Sequence, residues 1–199
     1  MAGLECIVGL MILILGIAMN GIHQIPEGHI GVYFRGGALL EGISEPGWHT
    51  KLPGVTTYDT VQVTVQTDAV SNVPCGTQGG VVIHFEKIEV VNRLQKDQAW
   101  DTVKNYTVNY DKTWIYDKIH HEINQFCSKH TLNEVYIDKF DQLDEHLAEV
   151  LQDNAQRWAP GIEIISIRVT KPTIPKTLEQ NYIEIESQKT KLAITKQQQ

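Results

Sequence analysis

The apolar period of this chain changes once, near Lys96, and that change constrains the fold more than any other feature. Before it, apolar residues alternate. Val61, Val63 and Val65 within Thr60–Gln66 (TVQVTVQ) face one way and their polar neighbours the other, the pattern of a half-buried strand. Residues 30–36 (IGVYFRG) and Val81–Val91 (VVIHFEKIEVV) are also strand-like, with Pro74–Gly80 (PCGTQGG) read as the loop between strands. After it, Ile115, Ile119, Ile123, Phe126 and Cys127 recur at helical spacing. So do Leu143, Leu147, Val150, Leu151, Asn154 and Trp158, until Ala159-Pro160-Gly161 stops the helix. Ile162–Val169 (IEIISIRV) is a closing strand. Strands, then helices, then a strand predict an α+β fold: an antiparallel β unit, then helices packed with the last strand.

Cys6–Ile22 stands apart because it carries no charge. Seventeen helical residues at about 1.5 Å each reach about 25 Å, a little short of a hydrocarbon core of about 30 Å. A cleaved signal peptide needs a basic leading region, which Met1–Glu5 lacks, although Gly16 and Ala18 offer a small-x-small pair. The favoured reading is an uncleaved signal anchor over residues 1–22. Arg35 is the first basic residue of the chain, so charge says little about orientation; taken alone it places the C-terminal side in the cytoplasm.

Charge and motifs exclude several functions. Lys and Arg number 17 against 24 Asp and Glu, for a net charge of −7, and no basic run is present. Displacing counterions from a nucleic acid needs clustered cations, so nucleic-acid binding is not expected. No phosphate-binding glycine loop and no nucleophile elbow occur. His120-His121-Glu122 with His130 invites a metal reading, but the second histidine of a zincin helix is replaced by Gln125, and the solvated helix face is the simpler account. Cys127 and His130, three apart, resemble a thiol–imidazole pair. Cys127 also lies on the apolar stripe, where a buried cysteine is the commoner outcome. Of the three cysteines, Cys75 and Cys127 can pair if the body lies in an oxidising compartment. The single sequon, Asn105-Tyr106-Thr107, is no more than chance provides.

From Pro175 the chain reads as helical again. Leu178, Tyr182, Ile185 and Leu192 form an apolar seam interrupted by Lys189 and Lys196, too short for a stable coiled coil. Weak self-association is expected from it.

Several long strings, EGHIGVYFRGGALL (27–40), PGWHTKLP (46–53), NVPCGTQGG (72–80), IEVVNRL (88–94), IHHEINQFCSKHTLNEVYIDKFDQLDEHL (119–147) and IRVTKPTIP (167–175), resemble the erlins of the stomatin–prohibitin–flotillin (SPFH, band 7) superfamily. The resemblance implies an SPFH domain at 23–174, followed at 175–199 by the start of a longer helix. It implies a single-pass endoplasmic-reticulum membrane protein with a short cytosolic N-terminus and a lumenal body. Such proteins assemble with themselves and homologous subunits, bind cholesterol and phosphoinositide, and have neither catalytic residues nor a cofactor. They recruit a ubiquitin ligase to inositol-trisphosphate receptors for degradation and restrain sterol-response signalling. Asn105 falls on the family's glycosylated position. Two other function classes stand beside this one: a hydrolase or metalloenzyme using Cys127, His120, His121 or His130, and a dedicated membrane lipid sensor.

Overall fold

The computed structural model describes residues 20–197. Eight strands form three antiparallel sheets: β1 (Ile22–Ile25) with β4 (Gly47–Thr50); β3 (Ala38–Leu39), β2 (His29–Arg35) and β5 (Thr56–Gln62); and β6 (Gln66–Gly76), β7 (Val82–Leu94) and β8 (Ile162–Val169). Helices α1 (Ala99–Tyr106), α2 (Lys118–Lys129) and α3 (Leu143–Trp158) lie between β7 and β8, and α4 (Lys176–Gln197) follows. The α+β order is the expected one.

Four details depart from expectation. The stretch 60–66 is not one strand: β5 ends at Gln62 and β6 begins at Gln66, so Val61 is buried while Val65 is exposed. Alternation continues in the sequence across a break that belongs to two sheets. Pro74 and Cys75 lie in β6, not in a loop. β6 pairs only with β7, and an edge strand tolerates a residue without an N–H. Asn72 has φ +54°, and the buried phase shifts across it from Val70 to Val73 and Cys75, which hides the strand from a period-two reading. On α3 the buried stripe is Leu143, Leu147, Leu151 and Ala155; Trp158 is two-thirds exposed and Val150 only half-buried. Finally, Ile22 belongs to β1, paired with Thr50, so the apolar segment is one residue shorter than its composition suggests. The remainder of that proposed anchor lies outside the described residues, apart from Asn20 and Gly21, and no helix among the described residues is long and apolar enough to cross a membrane.

Two apolar clusters hold the body together. In the first, α2 packs on β6 and α3 on β8. This encloses Phe85, Ile83, Ile88 and Val90 of the central strand with Ile119, Ile123, Leu147 and Leu151. The second joins Ile30, Val32 and Val61 of the β2–β5 sheet to Leu94, Val103, Ala155 and Ile162. Between β6 and β7, at a register shift of the β7–β8 pair, fully buried Asn92 donates to Asp68 Oδ2 at 2.6 Å. Gln66 donates to Asn92 Oδ1 at 3.3 Å and to Tyr110 Oη at 3.1 Å. Burial, reinforced by Asp68 and Asp111, pushes the Tyr110 phenol up to about 12, so it stays a neutral hydrogen-bonding group.

The turn that ends α3 shows why a glycine stands at 161. A Cβ there would lie 2.6 Å from the Cβ of Gln98, the residue just before α1, and 3.0 Å from Thr102 Oγ1 on α1. Gly161 O also accepts from Gln95 N at 2.7 Å, which fixes its position. Gly161→Ala therefore destabilises by about 1–3 kcal/mol through overpacking. Urea unfolding of the variant checks this; an unchanged midpoint would mean that α1 can move away freely.

Candidate functional site

The residues singled out by the sequence fall at three separate places. The first is the cysteine pair. Cys75 on β6 and Cys127 on α2 meet in disulfide geometry inside the larger core, their Cα atoms 6.0 Å apart and both residues essentially inaccessible. The register places Cys75 opposite Ile83, and α2 brings Cys127 over it because the stripe Ile119, Ile123, Phe126, Cys127 faces the sheet. With its sulfur engaged and buried, Cys127 offers no thiolate to His130. The His130 Nδ1–H instead donates to Phe126 O at 2.7 Å, and its ring lies 4.4 Å from that of Phe126. The Gln125 amide donates to His121 Nε2 at 2.8 Å, and Asn124 donates to the carbonyl of His120. Among the described residues, no group of three or more His, Cys, Asp or Glu is gathered as a metal site. The Thr131-x-x-Glu134 pattern is a formed capping box. Thr131 N donates to Glu134 Oε2 at 2.8 Å and Glu134 N to Thr131 Oγ1 at 3.4 Å, and the bond from the Thr131 backbone holds the Glu134 carboxyl below its ordinary range.

The second place is the surface at the end of α1. Asn105 is exposed there, and Thr107 turns the chain out of the helix with φ +67°. The neighbouring Tyr106 is anchored through its hydroxyl to Trp158 O at 2.7 Å, so the sequon sits on a fixed scaffold with its asparagine in solvent. The third is the seam on α4. Leu178 and Tyr182 are half-buried. The Tyr182 ring lies 5.6 Å from Tyr136 of the body, and Lys171 covers Tyr136 at 4.2 Å. Ile185 and Leu192 are exposed, as are Ile183 and Ile137 beside them. The seam expected to mediate self-association is thus partly occupied by the body at its N-terminal end.

A fourth place was not singled out from the sequence. Beside β4, a hollow of about 530 Å³ is lined by Arg35, His49 and Lys51 together with Tyr33, Ser44 and Thr50. Arg35 Nε makes a 3.5 Å hydrogen bond to Thr56 Oγ1, and His49 Nε2 donates to Glu45 O at 2.7 Å. The Glu45 carboxylate is taken by Lys96 at 2.6 Å. The signal for this hollow was present in the string PGWHTKLP, but it needs Arg35 of β2, which only the folded chain brings alongside.

An α+β body of three antiparallel sheets, clamped by a buried cysteine pair and lacking a gathered catalytic or metal cluster among its described residues, is the architecture now on the page. Residues 23–199 match the family described as SPFH domain / Band 7 family, and the chain belongs to that family. It is similar along nearly its whole length to proteins named erlin. It is 51% identical over 195 residues to Erlin of Caenorhabditis elegans, covering 98% of this chain and 62% of that protein. It is 54% identical over 193 residues to Erlin-1 of Homo sapiens, covering 97% and 55%, and 53% identical over 194 residues to Erlin-2-A of Xenopus laevis, covering 97% and 58%. The chain therefore spans little more than half the length of these relatives.

Proposed function

We propose that this chain supplies the SPFH body of a non-catalytic scaffold of the endoplasmic-reticulum membrane, with its anchor within residues 1–22, a short cytosolic N-terminus and the body in the lumen. The observation that carries this reading is the meeting of Cys75 and Cys127 in the core, because a structural disulfide persists only in an oxidising compartment such as the lumen. The exposed Asn105 supports the same side of the membrane, since a sequon is used only where the glycosylation machinery can reach it. Likeness to the erlins supplies the rest of the proposal. The chain assembles with its own kind or with homologous subunits, using the Ile185–Leu192 end of the seam. It associates with cholesterol and phosphoinositide, brings a ubiquitin ligase to inositol-trisphosphate receptors, and restrains sterol-response signalling.

Translation into sealed microsomes tests the topology. The expected result is a gel-mobility shift on endoglycosidase treatment, absent from Asn105→Gln, with the body resistant to added protease until detergent is present. A protease-sensitive body in sealed microsomes and no glycan shift would overturn the lumenal placement.

A further inference from the structure

We infer that His23 makes the docking of the β1–β4 ribbon on the body sensitive to pH: the ribbon stays docked while this imidazole is neutral and is released when it takes up a proton.

Little holds the ribbon in place. β1 and β4 form a sheet of their own, so their ladder does not continue into the β3–β2–β5 sheet beside them. Only two side chains of β1 are buried, His23 and Ile25, while Ile22 and Gln24 are exposed. Ile25 seats against β2 at Gly31, where a Cβ would lie 2.4 Å from Ile25 Cδ1. His23 makes the other attachment. Its Nε2 lies 2.9 Å from Tyr33 Oη of β2, and its ring lies against that of Tyr58 of β5, the centroids 3.9 Å apart. Half of the inward face of the docking strand is therefore a titratable ring, and that ring is only 7% exposed.

The surroundings of His23 oppose a charge on it. A buried ion is costly unless a counter-charge and hydrogen-bonding partners meet it. The buried Nδ1 makes no hydrogen bond. Facing the ring are Tyr33 from β2, Tyr58 from β5, and His49, its partner in the β1–β4 register, with ring centroids 6.1 Å apart. Lys51 follows β4 and holds its ammonium 5.4 Å from the centre of the Tyr58 ring. Arg35 lines the adjoining hollow with His49 and Lys51 and adds to the cations on this side. No carboxylate is among the groups that act on His23, and the nearby Glu45 is taken by Lys96. Burial first, then His49 and Lys51, hold the imidazole below its ordinary range, and the Gly21 carbonyl pulls the other way more weakly.

In the undocked ribbon His23 meets water, where an imidazole titrates near about 6.5. The docked form takes the proton only at lower pH. Docking is therefore at full strength above about 6.5 and weakens as the pH falls through the range below it, because the undocked form binds more protons there. Protonation of His49 adds a second charge directly across the strands and works in the same direction. The ribbon follows on the uncharged segment Cys6–Ile22, and Lys51 N donates to Gly21 O at 2.7 Å where the two meet. On the membrane-scaffold reading, on which this consequence alone rests, an acidic compartment loosens the joint between anchor and body.

The test is amide hydrogen exchange of the full 199-residue chain in neutral detergent micelles, at about pH 7.5 and about pH 5.5, each corrected for the intrinsic exchange rate. The expected result is a loss of about fivefold to tenfold in the protection of residues 21–25 and 47–51 at the lower pH, the size set by one imidazole protonated only in the open form about one pH unit below its ordinary value. Protection of β7 should not change. In His23→Gln the protection of the ribbon should no longer depend on pH. Equal protection of the wild-type ribbon at both pH values would overturn the proposal. So would a fall of full size in His23→Gln, or an equal loss in β7, which is general acid unfolding. If His23→Gln already lacks protection at the higher pH, His49→Gln decides: with the nearest cation gone the fall should shrink, and a fall of wild-type size would overturn the proposal. A cytosolic body in the microsome assay would remove the membrane consequence and leave the switch standing, whereas a pH-indifferent ribbon would remove the switch and leave the topology standing.

Discussion

Reduction of the Cys75–Cys127 link lowers the stability of the body by about 4 kcal/mol. The two cysteines are 52 residues apart, and closing a loop of that length removes roughly that much chain entropy from the unfolded state. The link joins β6, an edge strand, to α2, so its loss also frees the strand that has a partner on one side only. The measurement is urea unfolding in neutral detergent with and without reductant, on the wild type and on Cys75→Ala/Cys127→Ala. The reductant should shift the wild-type midpoint downward and leave that of the double variant where it is. A wild-type midpoint indifferent to reductant would remove both the stabilisation and the main support for a lumenal body. The double variant separates the bond from packing, because both sulfurs also fill space in the core.

Phe85→Ala should cost about 3–5 kcal/mol, the range for emptying an aromatic side chain from a close-packed core. Phe85 is fully buried in the middle of β7, opposite Val73 of β6 and within the cluster that α2 and α3 cover. The cavity would be walled by two helices and a central strand that is itself paired on both sides, so relaxation into it is limited. Phe85→Leu should recover much of the loss, since it restores most of the volume. Equal midpoints for Phe85→Ala and the wild type would show that the sheet is not packed as described.

The sequence by itself determined the order of strands and helices and the buried face of the helix that ends near Cys127. Ile119, Ile123, Phe126 and Cys127 were legible as one stripe because an α-helix turns its apolar residues to one side at a fixed period, whatever lies opposite, and all four are buried, as is Ile115 in the wider helical turn that precedes α2. The closing strand Ile162–Val169 was legible to its end residues for a similarly local reason, a short stretch rich in Ile and Val bounded by Gly161. What only the tertiary structure decided involves pairing between segments far apart. Whether Val63–Val65 belongs to a strand depends on which sheet each side of it joins, and Pro74 is tolerated in β6 because no second strand asks for its missing donor. Proximity of Cys75 to Cys127 follows from the seating of α2 on β6, which no spacing in the sequence encodes. The cationic hollow is the extreme case: Arg35 lies 14 and 16 residues before His49 and Lys51, in a separate sheet. Local periodicity reports which side of an element is apolar, whereas a site is made where elements meet, and that is fixed by packing alone.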